Sequence, residues 1–502
     1  MDRLRVLLIY PSKFRVTGLP IGLTSISAVL KQEGHEVKIF DTTFYELDSQ
    51  VSEPQLRADM LMSKRITDED KWLYKNNSDM KEDLISLIHD FKPRVVGISI
   101  LEPNYGISLL LSRLIKSTFK DILIVAGGVF PTLSPEVVIS EDSIDIVCLG
   151  EGETSVKELC NKIAGNEPYI HVDGLWIKDK TNIYRNKNTC LHNLNELPFP
   201  DFSDLDERLF YKPMQGKLFK MVNIETSRGC PYICSYCAAP KLKMFYRENT
   251  DSSYYREMKM EKVFEQIHYQ IDRHSPEFLY FSSETFLAMD DRDFAAFIHG
   301  YKAIRLPFWF QTRFETIIEE RLQALKDVGM YWLTIGVEHG NEEFRRKVLK
   351  RHYSNESMVK AAHILKKIGI GASLNNIIGF PFENRDLIFD TIRLNKQLWQ
   401  INNKLEINVF LFTPYRGCEL YDICKENNLL SDRLEFGTGV LSDESLLNFS
   451  DEYRQELKGL LKAFNMYVKL PEQLYPDIKI AENPDAEGAA MREALAKQLQ
   501  SH

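Results

Sequence analysis

Short apolar runs alternate with amphipathic segments along the first third of the chain. Five runs are rich in β-branched residues without polar alternation, which is typical of strands buried on both faces of a parallel sheet. They are Leu4–Tyr10, Glu36–Phe40, Val95–Ile100, Ile122–Ala126 and Ile144–Leu149. Segments with helical spacing lie between them, at Ile21–Glu33, Asp83–Phe91, Ile107–Thr118 and Thr154–Ala164. The alternation predicts a doubly wound, Rossmann-like α/β domain over residues 1–177, with right-handed crossovers.

The ends of these predicted strands carry residues suited to a ligand site, because ligands of such sheets bind beyond the carboxyl ends of the strands. Glycine at these points allows positive φ and lets the backbone approach a bulky ligand closely. The strand-end residues are Gly18–Gly22, Asp41–Thr43, Ser99, Gly127–Gly128 and Gly150–Glu153. The region has no GxGxxG dinucleotide fingerprint. The same pattern also fits tight turns that bind nothing.

A second α/β pattern begins at Met221. Six strand-like segments are interleaved with amphipathic helices such as Glu261–Arg273 and Arg321–Val328. The segments are Met221–Glu225, Phe278–Phe281, Phe308–Gln311, Trp332–Val337, Ala372–Ile378 and Glu406–Phe412. This spacing predicts a partial (β/α)6 TIM-like barrel over residues 221–424, with its chemistry at the C-terminal mouth of the strands.

Three further stretches complete the division of the chain. Residues 46–81 are charged and poorly periodic, which indicates a helical or irregular insertion without a readable role. Residues 178–220 are polar and contain several prolines, which favours a linker on the surface between the two domains. Residues 425–502 form a mostly helical extension that ends in the alanine-rich Gly488–Gln500, which we expect to be frayed or docked on the surface.

Composition and charge narrow the class of partner. The chain has 502 residues, 44% hydrophobic and 27% charged, which is ordinary for a folded protein of two domains plus an extension. A net charge of -9 argues against a nucleic-acid or anionic-membrane surface, both of which need clustered Lys and Arg. No apolar run is long enough for a membrane span. The charge therefore favours a small-molecule substrate, and the eight scattered cysteines, which lack the density of a disulfide framework, favour a reducing cytoplasm.

Cys230, Cys234 and Cys237 have CxxxCxxC spacing directly after the first predicted strand of the barrel. With eight cysteines in 502 residues, this triplet arises by chance roughly 0.002 times per chain. Three thiolates on one loop can hold three irons of a four-iron cluster and leave the fourth iron open. A zinc site would need a fourth ligand, for which Cys418 and Cys424 are distant candidates. A catalytic disulfide would leave the third cysteine without a role.

The cysteine loop, with the aromatic Tyr236 before its last cysteine, resembles that of the radical S-adenosylmethionine (SAM) superfamily. The resemblance implies a [4Fe-4S] cluster on the three cysteines, SAM on its open iron, and an electron donor such as flavodoxin or ferredoxin. Later strand ends resemble the family's SAM-binding motifs, although Ser282 and Ser283 replace the glycines of its GGE-like motif. The implied SAM contacts are Tyr236, Ser283, Glu284, Gln311, Arg313, Glu338 and Gly379. Taken singly, each could also be a barrel turn or a core-edge ion pair.

The first domain resembles the N-terminal cobalamin-binding domain of the cobalamin-dependent radical SAM enzymes. The resemblance rests on the glycine-laced strand ends around Gly127–Thr132 and Gly150–Glu153. The chain lacks the DxHxxG motif that places a histidine under cobalt, and His35 is better interpreted as structural. The implied cobalamin contacts are Pro20, Thr42, Ser99, Gly127, Gly128, Val129, Gly150 and Glu151.

The resemblance implies a methyltransferase that moves a methyl group from SAM, via methylcobalamin, to an unactivated carbon or phosphorus of a small molecule. A non-methylating rearrangement or oxidative cyclisation with the same cofactors fits the sequence equally well. Two further alternatives are a radical SAM enzyme whose first domain binds no cobalamin, and a binding protein without catalysis. Arg416 could contact an anionic substrate or form a salt bridge at the surface. No local motif identifies the substrate.

Overall fold

The computed structural model describes residues 3–12, 18–46, 53–65, 67–180, 182–187, 191–250, 252–431 and 443–500. Cys190 and part of the predicted insertion lie outside these ranges. Within them, no helix is both long and apolar enough to cross a bilayer. The predicted fold class is confirmed: a doubly wound α/β domain precedes a partial barrel and a helical C-terminal part. The domain boundaries themselves stay predictions.

The first domain is a seven-stranded sheet in the order β2-β1-β3-β4-β5-β6-β7, of which the first five strands are parallel. The strands are β1 Arg5–Tyr10, β2 Glu36–Asp41, β3 Val95–Ser99, β4 Leu123–Gly127, β5 Ile146–Cys148, β6 Leu175–Asp179 and β7 Asn182–Arg185. The helices are α1 Ile21–Gln32, α2 Glu53–Asp59, α3 Met80–Phe91, α4 Tyr105–Thr118, α5 Val129–Leu133, α6 Pro135–Ile139 and α7 Glu153–Ala164. The strand order reverses at β1, so the ligand crevice of such a sheet lies beyond the carboxyl ends there.

The second sheet has the order β16-β15-β14-β13-β12-β9-β8, parallel except for β8. Its strands, with a separate two-stranded pair, are β8 Tyr211–Met214, β9 Lys217–Ile224, β10 Ser227–Arg228, β11 Arg256–Glu257, β12 Phe278–Phe281, β13 Phe308–Thr312, β14 Met330–Glu338, β15 Ala372–Ile378 and β16 Glu406–Leu411. The helices are α8 Ala239–Asn249, α9 Met260–His274, α10 Asp291–Tyr301, α11 Glu319–Asp327, α12 Glu342–Lys347, α13 Asn355–Ile368, α14 Arg385–Ile401, α15 Glu419–Glu426, α16 Asp451–Lys469, α17 Tyr475–Ala481 and α18 Ala486–Gln500. All six predicted barrel strands are present.

The stretch predicted as an irregular linker contributes strands to both sheets. β7 pairs with β6 in the first sheet, and β8 pairs antiparallel with β9 in the second. Gln215 and Gly216, both at positive φ, form the two-residue turn between β8 and β9, as the right-handed twist of a hairpin requires. The sequence did not predict this hairpin, because a two-residue turn whose first residue is glutamine is a weak signal. The prolines of the same stretch favoured a linker instead.

The C-terminal helices are part of the barrel rather than an appendage. Helix α16 buries Leu457, Leu460 and Phe464 in the core of the second sheet. Asn465 Nδ2 donates to the carbonyl oxygens of Ile407 in β16 (3.0 Å) and of Met60 beyond α2 (3.1 Å). The predicted insertion therefore lies against the barrel. The alanine-rich end forms α18, which buries Leu495 in the same core.

Candidate functional site

The loop of the three cysteines follows β9 and is bracketed by the antiparallel pair of β10 and β11. Gly229 has φ +81°, and a Cβ there would lie 2.3 Å from the carbonyl oxygen of Tyr254. Glycine is therefore required directly before Cys230. Ser235 ties the middle of the loop to the segment after α12, since its hydroxyl donates to the carbonyl oxygen of Val348 at 2.5 Å.

Cys230 and Cys237 are half-buried and Cys234 is buried. Burial raises the pKa of the Cys237 thiol to about 12 and also raises that of Cys230, to which the Glu284 carboxylate adds. A bound metal removes such protons because its positive charge stabilises the thiolate. Each thiolate of a four-iron cluster binds a different iron, so the sulfur atoms need not surround one point. Within the described ranges, no three His, Cys, Asp or Glu side chains gather as one metal ion requires.

Two arginines lie against this loop. Arg313, at the end of β13, donates from Nη1 to Cys234 Sγ at 3.1 Å and lies 3.7 Å from the ring centroid of Tyr232. Arg351 donates from Nη1 to the Tyr236 hydroxyl at 2.7 Å and to Glu338 Oε1 at 2.5 Å. The structure thus brings three of the predicted SAM-site residues, Tyr236, Arg313 and Glu338, together beside the predicted cluster ligand Cys234.

A glycine makes room for the buried ion pair of Glu338 and Arg351. Glu338 has φ +63°, an uncommon backbone conformation for its residue type. A Cβ on Gly336 would lie 2.0 Å from Glu338 Oε1 and 2.9 Å from Arg351 Nη1. The Gly-Val-Glu sequence is therefore matched to the ion pair, whereas no local pattern marked Arg351.

The remaining predicted SAM residues are more dispersed. Ser283 is buried, and its hydroxyl shares a hydrogen bond with Thr226 below the cysteine loop. Glu284 is exposed, makes no hydrogen bond or ion pair within the described ranges, and has a pKa raised because the surrounding protein removes part of its hydration. Gln311 faces the interior of the barrel. Gly379, at φ +78°, donates its N–H to the carboxylate of Glu383, so its loop is held internally.

A largely apolar cavity of about 270 Å³ lies at the carboxyl ends of the first sheet, between the strands and helices α1 and α7. A Cβ on Gly97 would lie 2.9 Å from the Leu8 side chain, and one on Gly128 would lie 2.7 Å from the carbonyl oxygen of Ile100. Small residues thus keep the cavity and its rim open, as a bulky cofactor requires. The predicted cobalamin residues that line the cavity are Ser99, Gly127, Gly128, Gly150 and Glu151.

The other predicted cobalamin residues do not line this cavity. The Thr42 hydroxyl is used within the protein, where it accepts from the Ser12 N–H at 2.7 Å and donates to the Ser12 carbonyl oxygen at 3.0 Å. Pro20 and Val129 begin the segments of α1 and α5. His35 lies at the amino end of β2, opposite the crevice, with Nε2 2.9 Å from Asn161 Oδ1.

Arg228, two residues before Cys230, joins the two domains. Its guanidinium contacts Glu153 Oε1 at 2.6 Å, Glu225 Oε1 at 2.9 Å and Glu151 Oε2 at 3.3 Å. Arg256 forms a further ion pair with Glu151. Burial alone would raise the pKa of Glu153, but the charge of Arg228 brings it below its ordinary value, whereas burial keeps that of Glu225 raised.

Arg228 also lines the apolar cavity of the first domain. The cysteine loop and the cavity therefore meet at one side chain. Sequence reasoning missed this residue because two of its partners, Glu151 and Glu153, lie in the other domain. Its position next to Gly229 and Cys230 was the only available signal.

Two known protein families match separate parts of the chain. Residues 224–394 match the Radical SAM superfamily, and residues 9–160 match the B12 binding domain. The fold resembles that of the cobalamin-dependent SAM radical enzyme OxsB with aqua-cobalamin and SAM bound. That structure covers 100% of this chain and 71% of its own, with a TM-score of 0.66 at 15% identity.

Curated relatives are similar over most of the chain. The uncharacterized methyltransferase PH0819 of Pyrococcus horikoshii is 27% identical over 473 residues, which is 92% of this chain and 90% of that protein. The hopanoid C-3 methylase of Methylococcus capsulatus is 23% identical over 83% of this chain and 72% of its own length. The anaerobic magnesium-protoporphyrin IX monomethyl ester cyclase of Rubrivivax gelatinosus is 23% identical over 68% of this chain and 61% of its own length.

Proposed function

Because the chain belongs to the cobalamin-dependent radical SAM enzymes, which use a [4Fe-4S] cluster, SAM and cobalamin, we propose that it transfers a methyl group from SAM to an unactivated carbon or phosphorus of a small molecule. The observation that carries the proposal is the meeting of the cysteine loop and the first-domain cavity at Arg228. A cofactor bound at the cysteine loop would therefore lie beside a cofactor bound in the cavity. A methyl transfer that uses both cofactors requires them to be close together.

The residues of the cysteine loop have distinct roles in this proposal. Cys230, Cys234 and Cys237 bind three irons, and Arg313 donates a hydrogen bond to the sulfur of Cys234. Glu284 accepts a hydrogen bond from the ammonium group of SAM, since its carboxylate has no other partner within the described ranges. The Tyr236–Arg351–Glu338 group orients the rest of SAM against the loop. When bound, the cluster would supply the electron that cleaves SAM, and cobalamin would carry the methyl group.

The first domain supplies the second half of the site. Its apolar cavity binds an apolar part of cobalamin, and the glycine-rich ends of β4 and β5 bring backbone close to it. For this chemistry the cluster would take one electron from a small donor protein such as flavodoxin or ferredoxin, and we expect the reaction to run in a reducing cytoplasm. The substrate is a small molecule that enters beside both cofactors.

The test is anaerobic reconstitution with iron, sulfide and hydroxocobalamin, followed by turnover with methyl-labelled SAM, a one-electron reductant such as dithionite, and the small-molecule fraction of a cell extract. We expect iron and cobalt in the purified protein, deoxyadenosine and S-adenosylhomocysteine formed together, and one labelled product. Cys230→Ala should lose iron and SAM cleavage, whereas the matched variant Cys160→Ala, in the buried face of α7, should keep both. Deoxyadenosine without labelled product would refute methyl transfer.

A second candidate function is oxidative cyclisation, which the similarity to the magnesium-protoporphyrin cyclase favours. It uses the same residues for the cluster and SAM. It predicts deoxyadenosine without S-adenosylhomocysteine, and a product that carries no methyl label. The same assay therefore separates the two functions.

A further inference from the structure

A second cavity lies inside the partial barrel, on the concave face of the second sheet. Its volume is about 360 Å³, whereas a water molecule occupies ~30 Å³ of the liquid, so it can hold about a dozen waters or a small ligand. The β8–β9 hairpin lines it at the amino ends of the strands, together with Arg57, Ser63 and Lys64. The strand residues that face it are Tyr280, Trp309, Gln311, Trp332, Thr334, Ser373, Asn375, Glu406 and Asn408.

The lining of this lumen cavity offers hydrogen-bond donors without partners. Trp309 Nε1 is buried and has no acceptor within the described ranges. Asn375 Oδ1 accepts from Asn408 Nδ2 at 3.0 Å, and no bond of the Asn375 NH2 group is recorded within those ranges. A buried donor without an acceptor is unfavourable, because it has given up its hydrogen bond to water. A ligand that brings acceptors would recover this energy.

The only acidic side chain in the cavity is already occupied. Within the described lining, Glu406 is the single carboxylate, and it accepts from Gln215 Nε2 at 2.6 Å and from Ser373 Oγ at 3.2 Å. Three basic residues, Arg57, Lys64 and Lys212, also line the cavity. In a chain of net charge -9 this local excess of positive charge favours an anion.

One wall of the cavity is aromatic. The rings of Tyr280 and Trp309 are stacked, with centroids 3.9 Å apart and planes at 9°, and Trp332 lies on a neighbouring strand. Such a wall contacts flat or apolar groups well and contributes most when it is desolvated. Lys212 Nζ lies 4.8 Å from the centroid of the Tyr280 ring, so positive charge and aromatic surface are adjacent.

We propose that the lumen cavity is a binding site for a small organic anion with a planar body, such as an aromatic carboxylate. The acid group accepts from the Asn375 and Trp309 donors, and the body lies along the aromatic wall. Gln311 is two residues before Arg313, a step of ~7 Å along the strand, so the ligand lies on the lumen side of the cysteine loop. This inference goes beyond methyl transfer and holds whether or not that transfer occurs.

The first experiment compares three probes of one shape by calorimetry on the reconstituted full-length protein: benzoate, benzamide and benzylamine. Benzoate should bind with a Kd of ~1 mM or lower, which is within reach of a ligand of its size. Benzamide should bind more weakly and benzylamine weakest. No benzoate binding, or benzylamine binding equally well, would overturn the proposal.

The second experiment places the anion in the lumen. Asn375→Asp keeps the acceptor for Asn408 but faces the ligand with a negative charge, so the Kd for benzoate should rise at least about tenfold. Trp309→Phe removes one donor and keeps the wall, and should raise the Kd by a smaller factor. Asn483→Asp, an exposed site in the C-terminal part, is the matched charge control and should change nothing. Benzoate affinity equal in wild type, Asn375→Asp and Trp309→Phe would exclude the lumen, whether or not the protein is active.

Discussion

At the scale of single residues, Asp41 is a half-buried acid with one carboxylate oxygen fully enclosed by the protein. It ends β2, and its Oδ1 accepts from the N–H and the hydroxyl of Thr43 at 3.0 and 2.8 Å. Its Oδ2 is buried and without a partner within the described ranges. Burial raises its pKa to about 6, so the folded protein binds this proton more tightly than the unfolded chain does.

This imbalance predicts a dependence of stability on pH. A folded-state pKa above the unfolded value makes the free energy of unfolding fall as pH rises from about 4 to about 6, with the loss complete above that. Between pH 5 and pH 7.5 we expect a loss of ~1 kcal/mol in the wild type that is absent in Asp41→Asn. Urea unfolding at the two pH values measures it, with the exposed Asp121→Asn as control. Equal pH dependence in Asp41→Asn and wild type would contradict the assignment.

Gly336 gives a second prediction at this scale. An alanine there collides with both members of the Glu338–Arg351 pair, and breaking a buried pair costs ~3–5 kcal/mol. Gly336→Ala should therefore lower the thermal midpoint and weaken SAM binding. Calorimetry and equilibrium dialysis measure the two effects. Gly18→Ala, where a Cβ meets no atom of the described residues within 4 Å, should leave both unchanged.

At the scale of elements, helix α16 connects the segment around Met60, in the predicted insertion, to the open edge of the barrel. β16 is the last strand of its sheet, so the outer carbonyl oxygen of Ile407 has no strand to pair with. Asn465 of α16 satisfies that oxygen and, with the same nitrogen, the carbonyl oxygen of Met60. One amide thus joins three segments that are far apart in the chain.

Replacement of this amide should loosen that end of the barrel. Asn465→Leu leaves two buried carbonyl oxygens unpaired, at a cost of ~1–3 kcal/mol each. We expect a lower midpoint of thermal unfolding and faster hydrogen exchange at residues 57–64. Asn249→Leu, on exposed α8, is the control for the change of residue type. Unchanged exchange at residues 57–64 would show that the hydrogen bond does not hold the insertion.

At the scale of the whole molecule, charged contacts join the first domain to the barrel. Arg228 and Arg256 pair with Glu151 and Glu153 at the end of β5. Arg416 pairs with Glu102 of the first domain at 3.1 Å, so of its two predicted roles the structure shows the salt bridge. These contacts hold the carboxyl ends of the two sheets toward each other.

Loss of Arg228 should weaken the contact between the first domain and the barrel. Arg228→Met leaves Glu153 and Glu225 buried without their cation, which costs ~3–5 kcal/mol. We expect less cobalt retained per chain at gel filtration and a lower midpoint, with partial recovery in the double variant Arg228→Met, Glu153→Gln. Arg185→Met, whose partner Glu136 is exposed, should retain cobalt as the wild type does. Full cobalt retention by Arg228→Met would refute the coupling.

The sequence by itself determined the elements that depend on local pattern. Continuous apolar runs predicted the parallel strands of both sheets to within a few residues, because burial on both faces removes polar alternation. The sequence did not predict the antiparallel strands β6, β7 and β8, since short strands that are partly exposed have no such run. CxxxCxxC predicted a cluster loop because three ligands on one short segment need no tertiary contact to be recognised.

Only the tertiary structure determined which side chains meet at the ends and inner faces of these elements. The pairing of Arg228 with three carboxylates, the placement of Arg351 beside Tyr236 and the donor-rich lumen all join residues from distant segments. Such contacts depend on how the strands are ordered and on which side chains share an inner face. Local periodicity predicts that a residue is buried, but only the arrangement of the sheets determines which partner it meets.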